Sequence, residues 1–472
     1  MRIARNSAVL AAGQAAGVGL GFLTTILVTD SLGELYGLFI GAQRFVGLFL
    51  VIVQFGLHPL IVRAVALQRD PPGILLGTLL AVRCALGAGF ALLVAIAAYL
   101  GDYLPEHRWV LYAFAGAEIL GALSETYVAI CQGLERMGRS ALITLARSVV
   151  NFAGVLVVIV AGGGLAEIVT VYVAGRCAQL LAALLLTRQP LQGSPLELHF
   201  QRVQPYLREA LPYLAVGYAA VALRSLDVVI LTRISSVGEV ALYGAAFNFV
   251  DVFFVVPLLT QRALLPAFSR LETAGGATSI AQSSILVFGL LLFPAAAGLA
   301  LLADHAVALY PSGEFADAAP VLQVLAMTLI FIPVTTIAAT QLTASGRLGR
   351  ILAAYAVALP VQVAVDLLLI PRLGALGAAA ASVAAHGVVA IGLAIAVSVV
   401  GLRIPWAGVF RHTLATGVMS LAVLATRQYM VLVPIAAGLA SYLASLAILV
   451  PRDGMERRLL AVIRSRNGQA ES

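Results

Sequence analysis

Apolar runs of helical-span length, separated by short polar breaks, recur from one end of the chain to the other. A bilayer core of about 30 Å needs roughly 20 apolar residues per helical crossing. Backbone polarity in lipid leaves only helices or closed barrels, and the runs lack the period-two alternation of barrel strands. Fourteen crossings are predicted: Ser7–Thr29, Leu35–Leu57, Gly73–Leu100, Trp109–Cys131, Ala141–Ala161, Leu165–Thr187, Ala210–Leu231, Val240–Leu265, Ala281–Ala303, Ala318–Thr343, Ile351–Ile370, Ala375–Val400, Gly408–Ala425 and Met430–Val450. The expected fold is an all-α polytopic membrane protein.

The chain is 61% hydrophobic and 11% charged, which in water would expose too much apolar surface. The first run follows Arg2 and Arg5 as a signal peptide would, but it exceeds a typical h-region and thirteen runs follow. It reads as an uncleaved first helix. Cys84, Cys131 and Cys177 fall within or at the end of crossings, with neither metal-site nor disulfide spacing. No metal or cofactor is expected.

All 29 basic residues are arginine. With the N-terminus cytoplasmic, twenty of them fall in cytoplasmic breaks and tail, and only Arg108, Arg233, Arg372 and Arg427 lie outside. External breaks carry Asp30, Glu34, Asp102, Glu106, Asp304, Glu314 and Asp317 instead. The positive-inside rule therefore places both termini in the cytoplasm. Net charge of +7 is accounted for by these loops, so no nucleic-acid partner is expected.

The two halves echo each other. Leu35-Tyr36-Gly37 recurs as Leu242-Tyr243-Gly244, and Arg136-Met137-Gly138-Arg139 as Arg347-Leu348-Gly349-Arg350. At the latter offset Gly163 and Leu165 meet Gly374 and Leu376. Ordered matches of this kind indicate an internal repeat. Six crossings per copy leave both copies in the same orientation, as in transporters built from parallel repeats. The expected organisation is a first lobe over 1–187, a cytoplasmic linker over 188–209 with Pro190, Pro195 and Pro205, and a second lobe over 210–402. Helices 13 and 14 (403–450) form an appendage, and the basic tail (451–472) reads either as a short amphipathic helix on an anionic leaflet or as a solvated end.

The stretch Asp30–Arg69, with Leu32-Gly33-Glu34-Leu35-Tyr36-Gly37-Leu38-Phe39 and Phe55-Gly56-Leu57, resembles the start of bacterial polysaccharide biosynthesis proteins, flippases of lipid-linked oligosaccharides. Leu211-Pro212-Tyr213 onward to Leu265-Pro266-Ala267-Phe268-Ser269, and Ile370-Pro371-Arg372-Leu373-Gly374, are similar to later parts of that family. The resemblance implies the multidrug/oligosaccharidyl-lipid/polysaccharide exporter fold, with two six-helix lobes and often two extra helices. It also implies a polyprenyl-diphosphate-linked sugar as substrate, the bacterial inner membrane as location, and glycosyltransferases or a polymerase as neighbours in assembly. Family arginines of the first helix are missing here, where Gln14, Thr24 and Thr25 stand.

Ionisable side chains within crossings usually face a cavity or each other. Arg44, Arg83, Arg176 and Arg224, with Asn248, are the candidate substrate-cavity residues, because a guanidinium fork can engage phosphate oxygens bidentately. Arg147, about 9 Å from its predicted helix start, could instead snorkel to the surface. The competing reading is that these arginines pair with Glu118, Glu125 or Asp366 and hold helices together. Glu118, Glu125, Asp227 and Asp251 are candidates for binding a coupling ion, H+ or Na+. Pro212, Pro257, Pro294, Pro333 and Pro360 mark expected kinks in the second half.

Three functions compete. A flippase moves its substrate by alternating access and breaks no bond. A multidrug or organic-cation antiporter of the same architecture would favour carboxylates and aromatics over arginine. A polymerase or ligase would need a large external loop, which the predicted topology lacks, and no nucleophile, metal or nucleotide motif is evident.

Overall fold

The computed structural model describes residues 2–66, 71–101, 107–134, 136–188, 197–254, 277–399 and 401–449, and among these it contains helices and turns without a strand. Thirteen described helical spans are long and apolar enough to cross a membrane. The chain is therefore a multi-pass membrane protein. The difference from fourteen arises at the start, where one 39-residue span, Ala16–Gln54, covers parts of the first two expected crossings. There α1 (Arg2–Leu32) meets α2 (Tyr36–Gln54) through a single 3-10 turn at Gly33–Leu35. Gly33 makes that turn at φ 53°, a conformation open to glycine at no steric cost.

The chain divides into two compact units, Met1–Gly244 and Ala245–Ser472. In the first, α3 (Leu57–Ala66), α4 (Pro72–Leu100), α5 (Arg108–Gly133), α6 (Met137–Val160), α7 (Leu165–Thr187) and α8 (Phe200–Ile234) follow, then the start of α9 (Val237–Asp251). Helix α5 is central: it packs on α2, α3, α4, α6 and α7, while α8 lies along α2. A core of Leu57, Ile61, Leu75, Leu79, Ile130 and Ile143 seals the end where α3, α4, α5 and α6 meet. Large apolar side chains such as Leu92, Leu100, Val157 and Val160 point outward, as a lipid-facing surface requires.

The second unit contains the rest of α9, then α10 (Ala277–Leu301), α11 (Ala303–Val307), α12 (Ala318–Leu325), α13 (Ile332–Ala344), α14 (Leu348–Leu373), α15 (Ala375–Ser398), α16 (Trp406–Thr426) and α17 (Leu432–Leu449). Helices α14 and α15 pair closely, and α16 and α17 pair and pack on α10 around Met419, Tyr442 and Leu446.

The repeat seen in the sequence recurs as local structure. The backbone N–H of Arg136 donates to the Cys131 carbonyl at 2.8 Å, and Arg347 donates to Leu342 at the same distance. Four residues into each motif, Arg139 donates to the last-turn carbonyl of Leu186 at 3.0 Å, and Arg350 donates to Ala396 at 3.1 Å. A cation here satisfies orphan carbonyls and complements the negative helix end. Two copies thus cap the end of their own sixth helix from the start of their fifth.

Several boundaries differ from expectation. Residues 200–209, assigned to the linker, form the first ten residues of α8, and Pro205 and Pro212 lie inside it. The segment before it is tied to α4: His199 N–H donates to Thr78 Oγ1 at 3.1 Å. Gly77 lies against it so closely that a Cβ would come within 2.7 Å of the Glu197 carbonyl. Pro294 and Pro360 sit within continuous helices. Pro333 opens α13 after a 3-10 stretch, Ala326–Ile330, so the tenth crossing is broken there. In the first half the break falls without proline, at Phe55 and Gly56 with φ 42° and 63°. Pro257, the end of the eighth crossing, residues 189–196 and the basic tail lie outside the described residues.

Candidate functional site

The site is built on the small-residue face of α2. Gly37 and Gly41 are four apart and stack on one helical face. A Cβ at Gly37 would fall 2.0 Å from the Val237 carbonyl oxygen, and one at Gly41 3.0 Å from Thr232 Oγ1. Further along, a Cβ at Gly56 would fall 3.0 Å from the Ala210 carbonyl. Close approach through small residues is the usual way membrane helices pack, and here it lays α2 antiparallel along α8. The two repeat motifs meet at this contact, since a Cβ at Gly244 would strike the Tyr36 ring at 2.8 Å.

Arg44 follows on the same face of α2, three residues after Gly41 and about 12 Å from the start of the helix. Opposite it, α8 presents Arg224 and Asp227, about 15 and 10 Å from its end. Asp227 is fully buried; it accepts from the Tyr243 hydroxyl and from the Val228 N–H at 2.8 Å. Its carboxylate lies in the fields of both Arg44 and Arg224, whose side chains are only partly buried. Asp227 thus lies within the fields of guanidiniums from two facing helices.

A second polar group sits within the bundle of α4 to α7. Arg176 on α7 pairs with Glu118 on α5 at 2.6 Å and donates to Gln179 at 3.3 Å. Gly121, one turn from Glu118, leaves room for the Arg176 guanidinium, which a Cβ would meet at 2.7 Å. Arg83 is 1% exposed and donates to the Ala122 carbonyl, which tethers α4 to α5. Glu125 faces His58 at 3.3 Å and shares the fields of Arg83 and Arg176.

Arg147 belongs to this group as well. Helix α6 begins at Met137 rather than Ala141, so Arg147 stands about 15 Å along it, and it lies in the fields of Arg176, Glu118 and Glu125. His58 was not singled out by its sequence position; its partner Glu125 lies 67 residues away and only packing joins them.

The remaining candidates are elsewhere. Asn248 in the second unit is buried and donates to the Tyr310 hydroxyl at 3.3 Å, while Tyr310 donates to the Ala245 carbonyl at 2.9 Å. Asp251 closes α9 and is partly exposed. Asp366 is fully buried on α14, one turn from the equally buried Gln362. Among the described residues no group of three His, Cys, Asp or Glu side chains has metal-site geometry.

Breaking the Arg176–Glu118 pair tests its structural share. Glu118→Leu should destabilise the folded protein towards the roughly 3–5 kcal/mol seen when a buried pair loses one partner. Glu118→Leu combined with Arg176→Met should recover most of that loss. Thermal unfolding in detergent measures both, and equal loss in the single and double variants would refute the pairing.

A family model described as polysaccharide biosynthesis protein matches residues 3–272. No curated protein matches the chain by sequence. Among solved structures the chain is similar to the lipid II flippase MurJ in an inward closed conformation, with TM-score 0.77 and 12% identity over 93% of this chain and 98% of that one. It is also similar to a MOP superfamily transporter from Pyrococcus furiosus, with TM-score 0.62 and 14% identity over 85% of this chain and 95% of that one. An inward-facing multidrug resistance MATE family transporter gives TM-score 0.61 and 15% identity, over 79% and 91% of the two chains. At such identities these likenesses show the fold, that of MOP superfamily transporters, and the match over more than half its length shows that the chain belongs to the polysaccharide biosynthesis protein family.

Proposed function

We propose that the protein is a flippase that carries a polyprenyl-diphosphate-linked oligosaccharide, or a related polysaccharide precursor, across the bacterial cytoplasmic membrane. The observation that carries this reading is the placement of Arg44 and Arg224 on the facing helices α2 and α8, both within the field of Asp227. Guanidiniums placed within membrane helices are costly and usually serve a cavity or a partner, and a diphosphate is a partner of the matching charge. Guanidinium forks suit phosphate oxygens, and neither loses its charge at any physiological pH.

The diphosphate binds at this pair while the sugar occupies aqueous space and the polyprenyl chain stays in lipid. Arg83 and Arg176 hold helices together in this scheme, Arg83 through the Ala122 carbonyl and Arg176 through Glu118. Both termini are cytoplasmic, and glycosyltransferases of the same assembly route supply the substrate. A cation antiporter is disfavoured because guanidiniums at the site repel an organic cation.

Depletion of the protein followed by lipid analysis tests the function. The expected result is a polyprenyl-diphosphate glycan accumulating on the cytoplasmic leaflet; unchanged lipid-linked glycans would overturn the reading.

A further inference from the structure

Both ring nitrogens of His58 face groups that accept hydrogen bonds. Nδ1 lies 3.3 Å from the Glu125 carboxylate, and Nε2 lies 3.1 Å from Gln132 Oε1. The Gln132 amide is oriented from its other side, where Nε2 donates to the Ser140 hydroxyl at 3.1 Å. A neutral imidazole has a single N–H and can serve one acceptor, whereas an imidazolium donates from both nitrogens.

We propose that His58, Glu125 and Gln132 form a proton-binding site, and that the proton held there is the ion coupled to transport. The second half of this statement rests on the flippase reading; the first does not. The proton resides on the imidazole ring and is shared by hydrogen bonding with Glu125. On release the ring becomes neutral and gives up one of its two contacts, while Glu125 stays a carboxylate.

The surroundings favour that division of labour. Glu125 lies in the fields of Arg83 from α4, Arg176 from α7 and Arg147 from α6, so it remains balanced when His58 is neutral. Glu118, on α5 with Glu125, is already engaged by Arg176. On α8, which also packs on α3, Arg208 and Glu209 are exposed and of opposite sign.

The site's place in the fold gives the proton mechanical leverage. His58 is the second residue of α3, directly after the left-handed turn at Phe55 and Gly56. A non-glycine residue at positive φ is strained and persists only where neighbours enforce it. The His58 contacts fasten α3 to α5 and, through Gln132, to Ser140 of α6. Gly56 itself abuts Ala210, Tyr213 and Leu214 of α8, the helix that carries Arg224 and Asp227. Occupancy of the proton site therefore biases the α2–α3 joint against the helix that holds the proposed diphosphate site, which is the differential interaction that coupling requires.

The test uses full-length protein with 15N-labelled histidine in lipid nanodiscs, with the His58 signal assigned by its loss in His58→Gln. Both His58 nitrogens should report protonation, as the two acceptors facing the ring require. Glu125→Gln should lower the protonated fraction. A neutral Nδ1–H ring at pH 7, with a rotated Gln132 amide donating to Nε2, would overturn the proton site.

No substrate enters this measurement, so it stands if the flippase reading fails. Coupling is read separately in proteoliposomes, where His58→Gln should flatten the pH dependence of flipping by the native protein. A native rate that does not vary with a pH gradient would overturn the coupling while leaving the resident proton intact.

Discussion

Arg44→Ala and Arg224→Ala should each cut flipping of a polyprenyl-diphosphate sugar by about ten- to hundredfold while leaving the purified protein folded. A hydrogen bond to a charged group contributes roughly 1.5–3 kcal/mol, and each 1.4 kcal/mol is a factor of ten. Both side chains are only partly buried, so truncation leaves no sealed cavity of the kind expected at Arg83. Lysine at either position keeps the charge and loses the fork, and an intermediate rate is expected. Asp227→Asn should behave differently, because it removes the charge of a carboxylate that lies in both arginine fields and replaces one of the two oxygens that accept from the Val228 N–H and the Tyr243 hydroxyl. Flipping of a fluorescent substrate in proteoliposomes checks the series. A full rate in the Arg44→Ala, Arg224→Ala double variant would remove the diphosphate from this site.

Gly37→Ala should be among the most disruptive single-methyl changes in the chain. The added Cβ would overlap the backbone oxygen of Val237 at 2.0 Å, and a backbone atom cannot swing aside as a side chain can. Overpacking of this kind costs about 1–3 kcal/mol or more. Gly47 on the same helix is the internal control, since nothing lies within 4 Å of its Cβ position. There alanine should stabilise the helix by about 1 kcal/mol. Melting temperatures of the two variants should move in opposite directions. If both rise, α2 does not pack against the α8–α9 turn as described.

The crossings were legible because lipid imposes one requirement on every residue of a span, so length and composition suffice. The repeat was legible for a related reason: Arg139 and Arg350 recur because each must cap a helix end, and the same carbonyl geometry demands the same residue. Helix starts were less legible. Residues Phe200–Glu209 read as a linker because Pro205, Arg202, Arg208 and Glu209 interrupt them, yet Val203, Tyr206, Leu207 and Ala210 recur at helical spacing and pack on the core between α3 and α5.

The candidate arginines were visible as costly charges, but their roles were not. Whether a membrane arginine meets a carboxylate is decided by packing across helices. Arg176 meets Glu118 where Gly121 clears the space, and Arg147 joins the group through the packing of α6 on α5 and α7. His58 carried no signal at all beyond being one of six histidines. Its significance arises from two acceptors contributed by α5, one of them oriented by a serine on α6.

The guanidinium tie from Arg139 to Leu186, and its counterpart from Arg350 to Ala396, staple α6 to α7 and α14 to α15 as antiparallel hairpins. A stapled hairpin swings as one lever, because sliding one arm along the other would sever the tie and expose carbonyls to lipid. Among the described residues, two joints that bear no such staple and depart from regular helix are the left-handed link between α2 and α3 and the 3-10 stretch ahead of α13. Probe pairs placed along either hairpin should keep their separation throughout a working cycle, while pairs straddling those joints record its stroke.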